Sequence, residues 1–226
     1  TPALALLDNG LLLYFALQAT GRKQIASVMT PYLDELDRLR ESGAAVAGVV
    51  DRPRAASVIR LLRLAALDIE EINDDALRVA QPFERLSDRR LFEDLPPGHR
   101  TAVFVNASPT NTDYYQPRGH KIYFFYVNAA PAREAVILRV EVPQWIAEDP
   151  TLLDLAHAGI VEQSRVTQGF PYVLMRAHEL AVVALRERGE LDRMVMRAMM
   201  QRGLSPELSI KAQGKAWTGG SKRRFG

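Results

Sequence analysis

Residues 44–50 (AAVAGVV) carry no polar side chain. A strand built from them has no face to offer water, so it belongs inside a sheet covered on both sides. Upstream, Leu33, Leu36 and Leu39 recur at helical spacing within 31–42, and Gly43 supplies a stop. Downstream, Pro53 opens a helix over 53–67. Helix, buried strand and helix together are the unit of a layered α/β domain.

The rest of the chain extends that plan. An apolar run at 3–7 ends in Asp8-Asn9-Gly10 and is followed by a second run at 11–17, the pattern of a β-hairpin with Asp8 at its tip or last strand position. Between 68 and 120, acidic and Pro-rich patches (EEINDD, EDLPPG) surround short helical pieces at 88–95. A strand follows at 101–105, then a polar, turn-rich surface loop at 106–119. Strands at 120–128 (HKIYFFYVN) and 135–142 (AVILRVEV) are joined by a short link and pair antiparallel. A helix at 150–164 turns Leu152, Leu155 and Ile160 inward. Gly169-Phe170-Pro171 then opens a long helix to about Arg188, and a last helix, 190–202, stops at Gly203. The expected fold is α/β, a mixed sheet with surrounding helices, with residues 1–210 as a single domain and 211–226 as a basic tail.

Composition narrows the chemistry. Hydrophobic residues at 47% and charged residues at 25% are the balance of a globular protein able to bury a core. With no cysteine, disulfides, thiol nucleophiles and zinc-thiolate sites are excluded. No apolar run approaches the ~20 residues that span a bilayer, which argues against a membrane protein. The apolar start lacks the basic region of a signal peptide. The chain opens on Thr1, and the expectation is a segment of a longer natural chain. Net charge is +2, but the tail holds Lys211, Lys215, Lys222, Arg223 and Arg224 with no acid. The remainder is mildly acidic, so the tail is either solvated or docks on a polyanion or acidic surface.

Candidate reactive residues are few. His99, His120 and His157 read as turn, strand-start and helix-surface residues. His178 stands beside an apolar stripe of Leu174, Ala177, Ala181 and Leu185, where an imidazole needs a partner or a metal. Asp8 either caps a turn or presents a carboxylate at a strand end. Gly219-Gly220-Ser221-Lys222 lacks the spacing and preceding strand of a phosphate loop, no GxSxG elbow occurs, and His178-Glu179 does not continue as a zinc HExxH site.

Three stretches in order, LALLDNGLLLYF around Asp8, the pair HKIYFFYVN and LRVEVPQWIAED, and QGFPYVLMRAHELAVV around His178, resemble the NurA-type nucleases, partners of HerA-family translocases. The resemblance runs from the first residues to about Leu185. It implies an RNase H-like α/β fold, a homodimer, a cytoplasmic location, and a DNA nuclease using two manganese or magnesium ions with a hexameric HerA-type ATPase in end resection and repair. Asp8 matches an acidic metal ligand and His178 the active-site histidine, which would ligate metal or donate a proton to the leaving group. Phe170 falls where the family has a tyrosine, so a phenolic role passes to Tyr172 if it reaches in. The family's further Asp and Glu ligands would lie upstream of Thr1. One Asp and one His are too few for a complete site, so the segment alone is expected to bind metal weakly and cut little DNA.

Lys121, Arg139, Lys211 and Lys215 are candidate phosphate contacts, each also readable as a solvated surface cation. Tyr123, Phe125 and Tyr126 are candidate base stackers, at least half of them core by period-two pattern, and Tyr114 and Tyr115 are the more exposed candidates. Met194, Met196, Met199 and Met200 suggest core plus an interface face. The alternative to an enzyme is a non-catalytic module of the same fold that binds DNA or the ATPase. An unrelated α/β protein is the reading if Asp8 and His178 lie far apart.

Overall fold

A computed structural model describes residues 3–14, 22–67, 86–131, 134–181 and 185–201. Two compact units divide the chain, Thr1–Glu179 and Leu180–Gly226. The first holds strands β1 (Leu4–Asp8), β2 (Ala45–Val50), β3 (Phe104–Val105), β4 (Ile122–Asn128) and β5 (Ile137–Pro143). Its helices are α1 (Arg22–Glu41), α2 (Ser57–Ala65), α3 (Asp88–Leu91), α4 (Gln144–Ala147), α5 (Pro150–Thr167) and α6 (Tyr172–Ala181), the last ending just past the division. In the second unit, α7 (Leu185–Gln201) is described. Its Leu191, Met194, Val195 and Met200 are exposed.

Among the described residues the sheet runs β1-β2-β5-β4-β3. β1 and β2 are parallel, and the other neighbours antiparallel, so the sheet is mixed. β2 lies inside it, buried from Ala45 to Val49, as an all-apolar strand requires. Alternation sends Ala47, Val49, Phe125, Val127, Leu138, Val140 and Val142 to one face, where Leu153, Ala156 and Ile160 of α5 cover them. On the other face, α1 packs Ile25, Met29, Leu33 and Leu36 against Val46 and Ile122. Val58 of α2 meets Phe124, Tyr126 and Ile137 on that same side.

Several boundaries differ from those expected, each for a physical reason. Residues 11–14 form no hairpin strand, and 15–17 lie outside the described residues. Instead β1 pairs with β2, and the amides of Leu11 and Leu12 donate to the Glu141 carboxylate at 2.9 and 3.4 Å. A ladder has no claim on amides already taken by a buried anion. Pro31 lies inside α1 rather than at its start, because Ile25 and Met29 extend the buried stripe one turn and more upstream. Helix α2 starts at Ser57, not Pro53, for the group that caps it is the distant Asp88, which accepts from Val58 N and Ile59 N. The expected helix boundary at 188–190 is absent from the described residues, since Gly189 sits within α7, and 182–184 lie outside the described residues.

The stretch 106–119 is not a solvated loop. A π-helical turn (Asn111–Tyr115) and a 3₁₀ turn (Gln116–Arg118) bury Asn111 and Tyr115. Asn111 bonds Asn106 O, Ile122 O and Ile122 N, standing in for a strand neighbour. Tyr115 is fully buried and donates to Leu11 O at 2.8 Å, so it is no exposed stacker. Tyr114 is half-buried against the same cluster. Phe125 and Tyr126 are core, and Tyr123 is half-buried.

Candidate functional site

Strand β1 ends at Asp8, and Asn9 turns out of the strand with φ 84°, a left-handed conformation that asparagine tolerates. Asn9 N donates to Val49 O at 3.0 Å, so the turn is fastened to the inner strand β2. Residues 9–11 lie over Gly48, where an added Cβ would sit 2.7 Å from Asn9 O and 3.0 Å from Leu11 N. Only a residue without a side chain permits that approach. Tyr32 and Tyr115 both donate to Leu11 O, at 3.0 and 2.8 Å, and Leu13 N donates to Tyr115 Oη. Burial raises the pKa of both phenols, Tyr32 to about 12, with the negative charge of Glu141 adding to burial there. They stay protonated donors at neutral pH.

His178 arrives from the far end of the chain. Gly169 (φ 141°) and the doubly bonded Thr167, whose hydroxyl donates to Phe170 O and accepts from Phe170 N, shape the turn into α6. Leu174 buries against the α5 face and anchors that helix. The His178 Nδ1 then stands 3.9 Å from Asp8 Oδ2. Residues 170 positions apart in sequence thus converge at the end of β1. His178 is not the half-buried imidazole that its neighbours suggested. Its side chain is 72% exposed and that of Asp8 49%, and of the stripe beside it Leu174 is buried while Ala177 and Ala181 are exposed. The side chain of Leu185 lies outside the described residues. No burial cost obliges His178 to pair, and 3.9 Å exceeds a hydrogen bond. The two groups are neighbours without being a bonded pair.

Asp8 also lines a cleft of 1120 Å³, together with Gly10 of the turn and Arg139 and Glu141 of β5. Arg139 is not a surface cation. It is 5% exposed, its guanidinium meets Glu141 at 3.0 Å twice, and it lies 3.7 Å from the Phe124 ring centroid. Burial, the largest single influence, would lower its pKa, yet the Glu141 charge together with the contacts to Tyr126 and the Glu141 hydrogen bond raises it. Tyr126 Oη donates to Asp88 at 2.7 Å and closes the network toward α2. Sequence reading missed Glu141, although a Glu two residues from an Arg in an otherwise apolar strand signals a same-face ion pair. It also missed Arg54 and Arg60, exposed residues lining the cleft, because nothing local separates them from other surface arginines.

Other candidates stand apart. Lys121 is half-buried ahead of β4 and does not line the cleft. Lys211 and Lys215 lie outside the described residues. Phe170 packs, half-buried, against the α5-side core, whereas Tyr172 is 41% exposed. Among the described residues no three His, Asp or Glu side chains gather into a metal cluster. The acidic run EEINDD is outside them.

The sequence matches the NurA domain family over residues 1–183. No curated protein matches. Among solved structures, the NurA nuclease from Sulfolobus solfataricus is similar at 12% identity with a TM-score of 0.45, over 84% of this chain and 50% of that one. This chain therefore spans about half the length of that protein.

Proposed function

The chain belongs to the NurA domain family, and from that premise we propose that it is a subunit of a metal-dependent DNA nuclease. One observation carries the reading: Asp8 and His178, remote in sequence, stand 3.9 Å apart at a strand end, and Asp8 lines a cleft. A carboxylate and an imidazole suit a manganese or magnesium site by donor type, but such ions take about six ligands. The described residues fit part of a site. Asp8 and His178 would hold it from this chain, and the remaining ligands come from residues outside those described. Bound there, one or two divalent ions would activate water and neutralise charge at the leaving oxygen of a phosphodiester.

The chain's own residues do the positioning. Asp8 is held by the strand and by the turn fastened over Gly48. Exposed His178 is free to ligate or to protonate a leaving oxygen. Phe170 sets the α6 turn by packing, so any phenolic contribution falls to Tyr172. The wider reading is an RNase H-like domain over 1–210 with a basic tail at 211–226, working as a cytoplasmic homodimer with a hexameric HerA-type ATPase in DNA end resection and repair. Lys121, Lys211 and Lys215 remain proposed phosphate contacts, while Arg139 contributes as a buried support of the cleft.

A second reading has its own support. Glu141, whose carboxylate lies against Gly10 of the turn, is consumed by Arg139 and two amides, which favours a DNA- or ATPase-binding module without catalysis. Cleavage of 5′-labelled single- and double-stranded DNA with Mn²⁺ separates the two. Metal-dependent cutting by the protein, reduced at least about 100-fold in both Asp8→Ala and His178→Ala, is the expected result. Absence of cutting by the unaltered protein, with its translocase present, moves the assignment to the binding module.

A further inference from the structure

Three arginines line the cleft that Asp8 borders. Arg139 is neutralised by Glu141 and covered by Phe124. Arg54 and Arg60 are exposed and have no ion-pair partner among the described residues. The acids lining the cleft are Asp8 and Glu141, and Glu141 already has its cation. Among the described residues, the wall at α2 thus carries positive charge with no acid paired to it, in the cleft that the Asp8 carboxylate also lines. The α2 N-terminus is not the source of anion affinity, because Asp88 occupies its amides. The same cleft presents apolar surface: Leu61 is 51% exposed and Val105 44%. Tyr14 is 48% exposed, with its hydroxyl accepting from Asn106 Nδ2 at 3.3 Å, which leaves ring surface uncovered.

Exposed cations beside exposed aromatic and aliphatic surface are the chemistry that receives a nucleic-acid strand, phosphates on the guanidinium groups and bases on the rings. We propose that Arg54 and Arg60 form a phosphate grip on the α2 wall and that Tyr14 supplies a stacking surface in the same cleft, together seating the strand beside Asp8. This rests on the nuclease reading for the class of ligand, but it is a statement about binding and is read without cleavage.

Salt dependence distinguishes the two kinds of contact. Fluorescence anisotropy of a labelled single-stranded oligonucleotide, in EDTA to prevent cutting, measures affinity between about 50 and 200 mM salt. Arg54→Ala/Arg60→Ala should weaken binding about tenfold and lower the slope of log affinity against log salt by about 1.4, roughly 0.7 per lost phosphate contact. Tyr14→Ala should weaken binding with the slope unchanged, and Tyr14→Trp should restore it. Arg38→Ala/Arg165→Ala, which alters exposed arginines outside the cleft lining, should change neither quantity. Wild-type affinity in the Arg54/Arg60 variant, or a loss with no change in slope, overturns the grip. So does failure of the unaltered protein to bind the oligonucleotide. The Asp8→Ala cleavage assay still judges the nuclease reading in each case. Should the alanine pair not fold, Arg54→Gln/Arg60→Gln provides the same comparison.

Discussion

Gly48 illustrates how much one residue decides. It stands opposite Leu7 on β1 and Glu141 on β5, and its missing side chain leaves the slot that residues 9–11 occupy. Gly48→Ala places a methyl against backbone atoms at 2.7 and 3.0 Å, which have no rotamer to yield. A loss of about 1–3 kcal/mol is expected in urea unfolding, with a displaced turn and lower cleavage as its consequence. Glu141 is the second such residue, tied to two amides and to Arg139 while 3% exposed. Glu141→Gln leaves a buried guanidinium without its counter-charge and should cost about 3–5 kcal/mol. Adding Arg139→Met should recover part of that loss. A double-mutant cycle by chemical denaturation checks it, and strict additivity would mean the pair is not coupled.

At the scale of elements, helix α2 depends on a residue from another helix. Its own N-cap position is Ala56, which offers no side-chain acceptor, and Asp88 at the start of α3 accepts from Val58 N, Ile59 N and Tyr126 Oη. Asp88→Ala strands all three donors and should destabilise the fold by about 3 kcal/mol, whereas Tyr126→Phe removes one partner and should cost about 1 kcal/mol. Guanidinium unfolding of the two variants measures the ratio; equal losses would show that Asp88 does not act as the cap. Since α2 carries Arg60 and its first residue, Ser57, follows soon after Arg54, the Asp88 variant should also loosen the cleft wall. Sequence reading placed α2 and α3 within a few residues but could not join them, because hydrogen-bond partners 30 positions apart have no local signature.

For the molecule as a whole, stability should depend on pH through one buried imidazole, His120, and one half-buried imidazole, His157. His120 is fully buried, bonded to Asp37 at 2.8 Å with Nδ1 lacking a partner, and faces Arg118 and Arg40 as well. His157 is bonded to Gly98 O at 3.0 Å near Arg100, Asp154 and His99. Burial lowers both pKa values below the ordinary 6.5, against the pull of Asp37 on His120 and the Gly98 hydrogen bond on His157. The unfolded chain then takes up protons first as pH falls. Stability is complete above about pH 6.5 and declines below it toward the folded-state pKa values. Asp37, which the Arg118 hydrogen bond holds below the usual carboxylate range, contributes until pH falls under about 3.9, outside this window. Urea midpoints from pH 8 to 5 should therefore fall with acid, and less steeply in His120→Gln and His157→Gln; unchanged slopes would refute the assignment. What the sequence determined by itself was whatever local period and composition control: the buried inner strand β2, the antiparallel β4–β5 pair, α5 with Ile160 turned inward (Leu153 is its buried leucine, where the spacing predicts Leu152 and Leu155, which are partly buried), and the Pro171 start of α6. Tertiary structure alone decided that Asp8 meets His178, that Glu141 takes the amides a hairpin would have used, that Asp88 caps α2, and that Tyr115 is core. The last three rest on a buried polar group finding a partner far along the chain, and the first on α6 docking through Leu174; only packing selects these partners.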